Sequence, residues 1–128
     1  MVKKFVKNDK KYWEFIRELR NHPDVKKGFI EQEYIDHFDH ALYMQRFGSY
    51  FYVCLVDGEP AGYVGVLQGD IRVATHPKFQ GNGVGKFMIN ELMSAHPTSF
   101  AKVKVDNEAS LRLFESCGFS KKYYILEK

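Results

Sequence analysis

The stretch Gln80-Gly81-Asn82-Gly83-Val84-Gly85-Lys86 follows a β-rich run, Ile71 to Thr75, and a His76-Pro77 step. It leads into an apolar segment carrying Phe87, Met88, Ile89 and Leu92. The branched run predicts a strand, and the apolar segment predicts a helix from about Gly83 to Ala95. A glycine-rich turn in that position has a chemical use. The first backbone N–H groups of a helix lack intrahelical partners and carry partial positive charge, so they receive an anion when no side chain blocks the approach. Glycines at 81, 83 and 85 remove the obstruction, and Lys86 in the first turn adds charge. The loop reads as a diphosphate nest; a tight turn that merely caps the helix is the competing reading of the loop in isolation.

Two other phosphate motifs fail on the same letters. A Walker loop needs G-x-x-x-x-G-K-[ST], but Gln80 stands where the first glycine belongs and Phe87 replaces Ser/Thr. A dinucleotide fingerprint needs G-x-G-x-x-G, whereas these glycines are spaced by two throughout and come late in the chain.

Upstream, Lys3 to Lys7 reads as a short strand. Asn8 or Asp9 can cap a helix with Trp13, Ile16 and Leu19 on one face, which stops near His22-Pro23. A second helix is predicted from about Glu31 to Arg46, with Ile35, Phe38, Leu42 and Met44 or Phe47 as its apolar side and Gly48 as its end. Tyr50 to Val56 and Ala61 to Leu67 read as strands joined at the hairpin signal Asp57-Gly58, and Gln68-Gly69-Asp70 turns the chain into Ile71 to Thr75. Downstream, Ser99 to Val105 alternates as a strand, Glu108 to Cys117 is helical with Gly118 as its stop, and Lys121 to Leu126 is a final strand. The order βααβββαβαβ predicts a single α/β (α+β) domain over residues 1–128. Its mixed central sheet would have about six strands, flanked by four helices.

Composition fits one soluble domain. Hydrophobic residues make up 45% and charged residues 27% of 128 residues, enough apolar surface for one core without disulfides or metal. A net charge of +3 favours anionic ligands without amounting to a nucleic-acid-binding stripe, and the early lysines Lys3, Lys4, Lys7, Lys10 and Lys11 read as a solvated face. Cys54 and Cys117 belong to no C-x-x-C pair, so neither metal nor disulfide is indicated. The sequence has no apolar run approaching the ~18 residues of a membrane span and no leader-like N-terminus. A cytoplasmic protein without nucleic-acid or membrane partners is the expectation.

Gln80-x-x-Gly83-x-Gly85, after a strand and Pro77, resembles the Q/R-x-x-G-x-G/A signature of the GCN5-related N-acetyltransferase (GNAT) family. Asn107-Glu108-Ala109-Ser110-Leu111-Arg112-Leu113-Phe114-Glu115-Ser116-Cys117-Gly118-Phe119 is similar to that family's second block, an Asn followed by a short helix ending in Gly-Phe. The close likeness covers residues 71–119. It implies a fold in which the fourth and fifth strands, Ile71–Thr75 and Ser99–Val105, splay apart, and acetyl-CoA as co-substrate with no metal. The resemblance implies that the pantetheine arm lies in the gap against Val73, Ala74 and Thr75. It further implies that the pyrophosphate sits on the N–H groups of Gly81, Asn82, Gly83, Val84, Gly85 and Lys86 behind Gln80. Asn107 would bond the arm or nearby backbone, and Phe114 would pack beside the cofactor.

The implied chemistry is direct attack of a neutral amine on the thioester in a ternary complex, through an oxyanion that a backbone N–H near Val73 can stabilise. An alkylamine with pKa ~10.4 must first lose a proton, whereas the leaving thiolate, pKa ~8.5, needs less help. The residues that often do this in the family are missing: Phe114 stands where a tyrosine acid is common, and Lys102 where some relatives carry a glutamate. Asp70, His37, His40 and His76 are the candidate proton-transfer groups, with Tyr123 or Tyr124 as further ones. His37 and His40, three apart beside Asp36 and Asp39, could also be read as metal ligands, but a packed or solvated role is the plainer reading.

The acceptor is expected to be a small-molecule amine. Leu19-Arg20-Asn21-His22-Pro23-Asp24-Val25 resembles a segment of transferases that acetylate nucleotide-linked amino sugars, though a ribosomal-protein N-terminal acetyltransferase subgroup carries similar text. A protein or peptide N-terminal acetyltransferase and a noncatalytic acyl-CoA-binding module are the alternatives. The protein is expected to be a monomer or homodimer.

Overall fold

The computed structural model describes residues 1–128. Strands β1 (Lys3–Lys7), β2 (Phe51–Val56), β3 (Glu59–Leu67) and β4 (Asp70–Thr75) form an antiparallel sheet in that order. Asp57-Gly58 and Gln68-Gly69 each put two residues at positive φ, the twist that tight hairpins demand. Between β2 and β3 the register slips, with Cys54 opposite Gly62 and Leu55 opposite Pro60, so that Ala61 is bulged out.

The sheet is covered on both faces. Helices α1 (Trp13–Asn21), α2 (Pro23–Lys26) and α3 (His37–Phe47) supply Ile16, Leu19, Val25 and Met44, which pack with Phe51, Val53, Tyr63 and Ala74. On the other face, α4 (Val84–Ala95) places Val84, Met88, Ile89 and Leu92 along one stripe. With Phe114 of α5 (Glu108–Ser116), these pack on Cys54, Val64, Val66 and Ile71. The two faces divide the labour that follows: α4 and α5 serve the nest, whereas α1 to α3 wall the space beyond it.

The mixed six-stranded sheet expected from the sequence is not formed; there are four strands. Ser99 to Val105 contributes a single parallel bridge, Phe100 opposite Asp70. It is held by Ile71 N–H on the Phe100 carbonyl (2.8 Å) and Phe100 N–H on the Gly69 carbonyl (2.8 Å). After Phe100 the segment parts from β4 and forms no further ladder, and Lys121 to Leu126 pairs with no strand, Tyr123 and Leu126 each being 91% exposed. An alternating pattern encodes a strand only where a partner edge completes its hydrogen bonds.

The helices also differ from expectation, five in place of four. Pro23 ends α1 but also starts α2, with the His22 Nδ1 accepting from Asp24 N–H as its cap. The helix expected from Glu31 begins only at His37, because the Asn21 side chain takes both the N–H and the carbonyl of Ile35 (2.8 and 2.7 Å) and Asp36 then caps Asp39 N–H at 2.7 Å. Its buried side is His40 and Met44, whereas Phe38 (69%) and Leu42 (50%) face outward.

At the end of α5, Gly118 at φ +92° lets its own N–H reach the Glu115 carbonyl and lets Phe119 N–H reach that of Phe114. The Phe114 and Phe119 rings meet edge-on 5.2 Å apart across this turn. Replacing Gly118 by Ala is expected to cost about 1 kcal/mol through the left-handed backbone alone, read as a lower urea midpoint with an unchanged slope.

Candidate cofactor groove and acceptor site

The turn before α4 leaves its peptide nitrogens bare. Gly81 (φ +83°) and Gly83 (φ +75°) adopt left-handed backbone, and a Cβ at either would meet open space, so the way in is clear. The N–H groups of Gly81, Asn82 and Gly83 make no backbone hydrogen bond, and those of Val84, Gly85 and Lys86 open the helix without partners. The side chains of Gln80 and Asn82 fold back instead of filling the nest, Gln80 Nε2 toward the Thr75 carbonyl (3.5 Å) and Asn82 Nδ2 onto that of Phe79 (3.2 Å). No carboxylate lies in the first turn, and Lys86 is exposed there.

From the nest a groove of about 1500 Å³ runs along the free edge of β4. Its walls are Ile71 to Thr75 on one side and Lys102 to Lys104 on the other, the two segments that separate after the Phe100 bridge. Since Ile71 turns its N–H to this edge, alternation turns the peptide groups of Val73 and Thr75 the same way, toward the groove. Ala74 turns its carbonyl inward to Gly62 of β3 and its side chain into the core, so of the three expected contacts it is the one whose peptide faces away. Phe114 is buried and lines the groove. Asn107 caps α5 through Ser110 N–H (3.1 Å) and donates to the Gly28 carbonyl (3.1 Å), pinning the loop after α2 to this wall.

The candidate proton-transfer residues are scattered. Asp70 lines the groove, only 14% exposed, with Arg72 Nε at 3.3 Å and Lys102 Nζ at 4.0 Å. His76 caps the turn at Pro77 through Lys78 N–H (3.1 Å) and faces His22, ring to ring at 5.9 Å, in a separate cavity. His37 is exposed and bonded to Glu14 (3.0 Å), and Tyr123 and Tyr124 stand in solvent. His40 is 1% exposed: its Nε2 meets the Trp13 carbonyl at 2.8 Å and its Nδ1 faces Arg20 at 3.4 Å. His37 and His40 therefore point to different partners and do not share a ligand position.

Two groove residues, Tyr43 and Tyr63, were not singled out from the sequence, and Arg20 was named only as part of Leu19–Val25. Tyr43, Tyr63 and Arg20 line the groove from the α1 to α3 side, with the Arg20 guanidinium 4.8 Å over the Tyr43 ring. Burial raises the pKa of Tyr43, and that of Tyr63 well beyond its ordinary value, so both phenols keep their protons at neutral pH. Tyr63 reads in sequence as one more residue of the Ala61–Leu67 strand, and nothing local shows which face meets the groove.

A strand edge left free beside a bare helix N-terminus can hold a long, phosphate-bearing ligand by main chain. The chain belongs to the acetyltransferase (GNAT) family, whose model matches residues 12–119. Solved structures agree on the fold. Spermidine N-acetyltransferase from Vibrio cholerae, in complex with CoA and spermine, is 17% identical over 98% of this chain and 85% of its own, with a TM-score of 0.86. The yncA protein from Salmonella typhimurium, with acetyl-CoA, is 24% identical over 94% and 80%, with a TM-score of 0.75. AAC(6')-Iy, in complex with a bisubstrate analogue, is 14% identical over 100% and 97%, with a TM-score of 0.72. No curated protein sequence matches the chain significantly.

His40 makes acid stability informative. Burial first, then the nearby Arg20 charge, lowers its pKa from 6.5 to about 4. The unfolded chain therefore takes up this proton before the folded one. Its contribution is full above about pH 6.5 and is lost as pH falls toward 4, on the order of 2 to 3 kcal/mol. Urea unfolding at pH 7.5 and 4.5 should show a smaller acid loss in His40→Gln than in the wild type.

Proposed function

We propose that this chain transfers the acetyl group of acetyl-CoA to a primary amine of a small molecule, by direct attack within a ternary complex. The observation that carries the reading is the row of unpartnered N–H groups from Gly81 to Lys86 at the mouth of the groove beside β4. In this reading the nest binds the pyrophosphate, and the pantetheine arm bonds the Val73 and Thr75 peptides as an added strand. The acetyl group then points toward Asp70, Tyr43 and Tyr63. The Val73 N–H stabilises the oxyanion as the amine adds to the thioester carbon.

Proton flow is shared among groove residues. Asp70 accepts the amine proton, directly or through water, and the phenols of Tyr43 and Tyr63, which burial keeps protonated, offer hydrogen bonds to the departing thiolate without giving up their protons. Phe114, which has no proton, contributes apolar contact alone. The acceptor class we favour is the amino sugar of a nucleotide-sugar, on the Leu19–Val25 segment whose Arg20, Asp24 and Val25 line the groove. The similar solved enzymes bound to spermine and to a CoA-aminoglycoside-type bisubstrate analogue support small amines in general.

Two measurements test this. Acetyl-CoA supplied with an amine panel should release free thiol, and CoA binding without release for any amine would end the transferase reading. Replacing Gly83 by Leu should weaken CoA binding by roughly a hundredfold while the fold survives a backbone strain of about 1 kcal/mol, because the new side chain enters the nest. Unchanged CoA affinity in that variant would overturn the loop assignment.

A further inference from the structure

We infer that Arg20 reads an anion on the α1 to α3 side of the groove, so that the amine acetylated by this chain carries a carboxylate or phosphate; the substrate part of this inference rests on the transferase reading above. The starting point is a guanidinium without a counter-charge. Arg20 near the end of α1 is only partly exposed, lines the groove and is absent from every ion pair of the protein. A partly desolvated cation with no carboxylate is costly, and an anionic ligand removes that cost.

The guanidinium is also held in place. His40, buried in α3, donates its Nε2 proton to the Trp13 carbonyl, which leaves the Nδ1 lone pair toward Arg20 Nη1 at 3.4 Å. Tyr43 supports the other side of the fork, its ring centroid 4.8 Å from Arg20 Cζ. A neutral imidazole and a phenol ring orient the charge without neutralising it, so the remaining N–H groups are free for a ligand.

Neighbouring charges act in the same direction. Arg72 and Lys102 line the same groove and share the single carboxylate of Asp70. The other acids along the groove, Asp24, Glu31, Asp106 and Glu127, are exposed at its rim, and Asp106 already pairs with Lys104 at 3.5 Å. A polyamine placed here would set ammonium groups against Arg20, Arg72 and Lys102. The Vibrio cholerae enzyme solved with spermine is thus a guide to the fold of this chain and to an amine acceptor in general, but not to a polyamine one.

The test pairs a binding readout with turnover. With the groove saturated by CoA, calorimetric titration with inorganic diphosphate should show saturable binding to the wild type. Binding should be roughly tenfold weaker or more in Arg20→Gln and intermediate in Arg20→Lys, with CoA affinity unchanged in both. In the thiol-release assay, glucosamine 6-phosphate, a UDP-linked 4-amino sugar and glutamate separate phosphate from carboxylate recognition. At least one of them should exceed spermidine in kcat/KM by roughly tenfold, and Arg20→Gln should erase that preference through KM. Spermidine as the best acceptor, or diphosphate binding that Arg20→Gln leaves unchanged, overturns the assignment. If Arg20→Gln fails to fold, Arg20→Lys and the wild-type preference decide it. Diphosphate binding that depends on Arg20, with no thiol released for any amine, would instead keep the anion site and sink the transferase reading.

Discussion

Past Ile71 the outer edge of β4 has no neighbouring strand, and the function proposed for this protein depends on that missing pairing. Peptide groups in a sheet are obligatory hydrogen-bonding groups, and an edge that leaves them unpaired accepts any chain that can supply donors and acceptors. Here one bridge at Phe100 anchors the next segment and then lets it diverge. The groove that opens is flanked at one end by the bare N–H groups of the Gly81–Lys86 turn, so unpaired main chain is available both along the groove and at its mouth.

Side chains enter where selectivity is needed. The α4 and α5 face supplies apolar support, with Val84, Met88 and Phe114 behind the nest. The α1 to α3 face brings Arg20, Tyr43, Tyr63 and Asp70 to the end where an acceptor would approach. Asn107 ties the two halves together, capping α5 while it holds the Gly28 carbonyl of the loop after α2. Such a division lets the acceptor wall vary without disturbing the grip on the cofactor.

His40 illustrates how one residue serves both packing and site. Its burial fixes the neutral imidazole, its Nε2 satisfies the Trp13 carbonyl, and its Nδ1 faces a guanidinium that would otherwise lack an acceptor. From sequence, His40 read as a candidate proton-transfer group, while Phe38 and Leu42 were assigned to the apolar side with Ile35 and Met44 or Phe47. Met44 and Phe47 of that stripe do pack on the core, but Phe38 and Leu42 face outward and His40 is buried instead; the helix begins only where Asp36 caps it, after Asn21 has tied down the Ile35 peptide.

Local chemistry was enough to identify the strand before the turn, the alternating glycines, the α4 stripe, the Asp57-Gly58 hairpin and the Gly118 stop, since each depends on φ preferences or spacing within a few residues. Those features carried the family and the position of the nest. The fate of Ser99–Val105 and Lys121–Leu126, the start of α3, and the meeting of Arg20 with Tyr43 and His40 depended on contacts between residues far apart in the chain. An alternating segment becomes a strand, and an arginine becomes a recognition group, only through partners that the fold brings alongside, and local spacing carries no information about them.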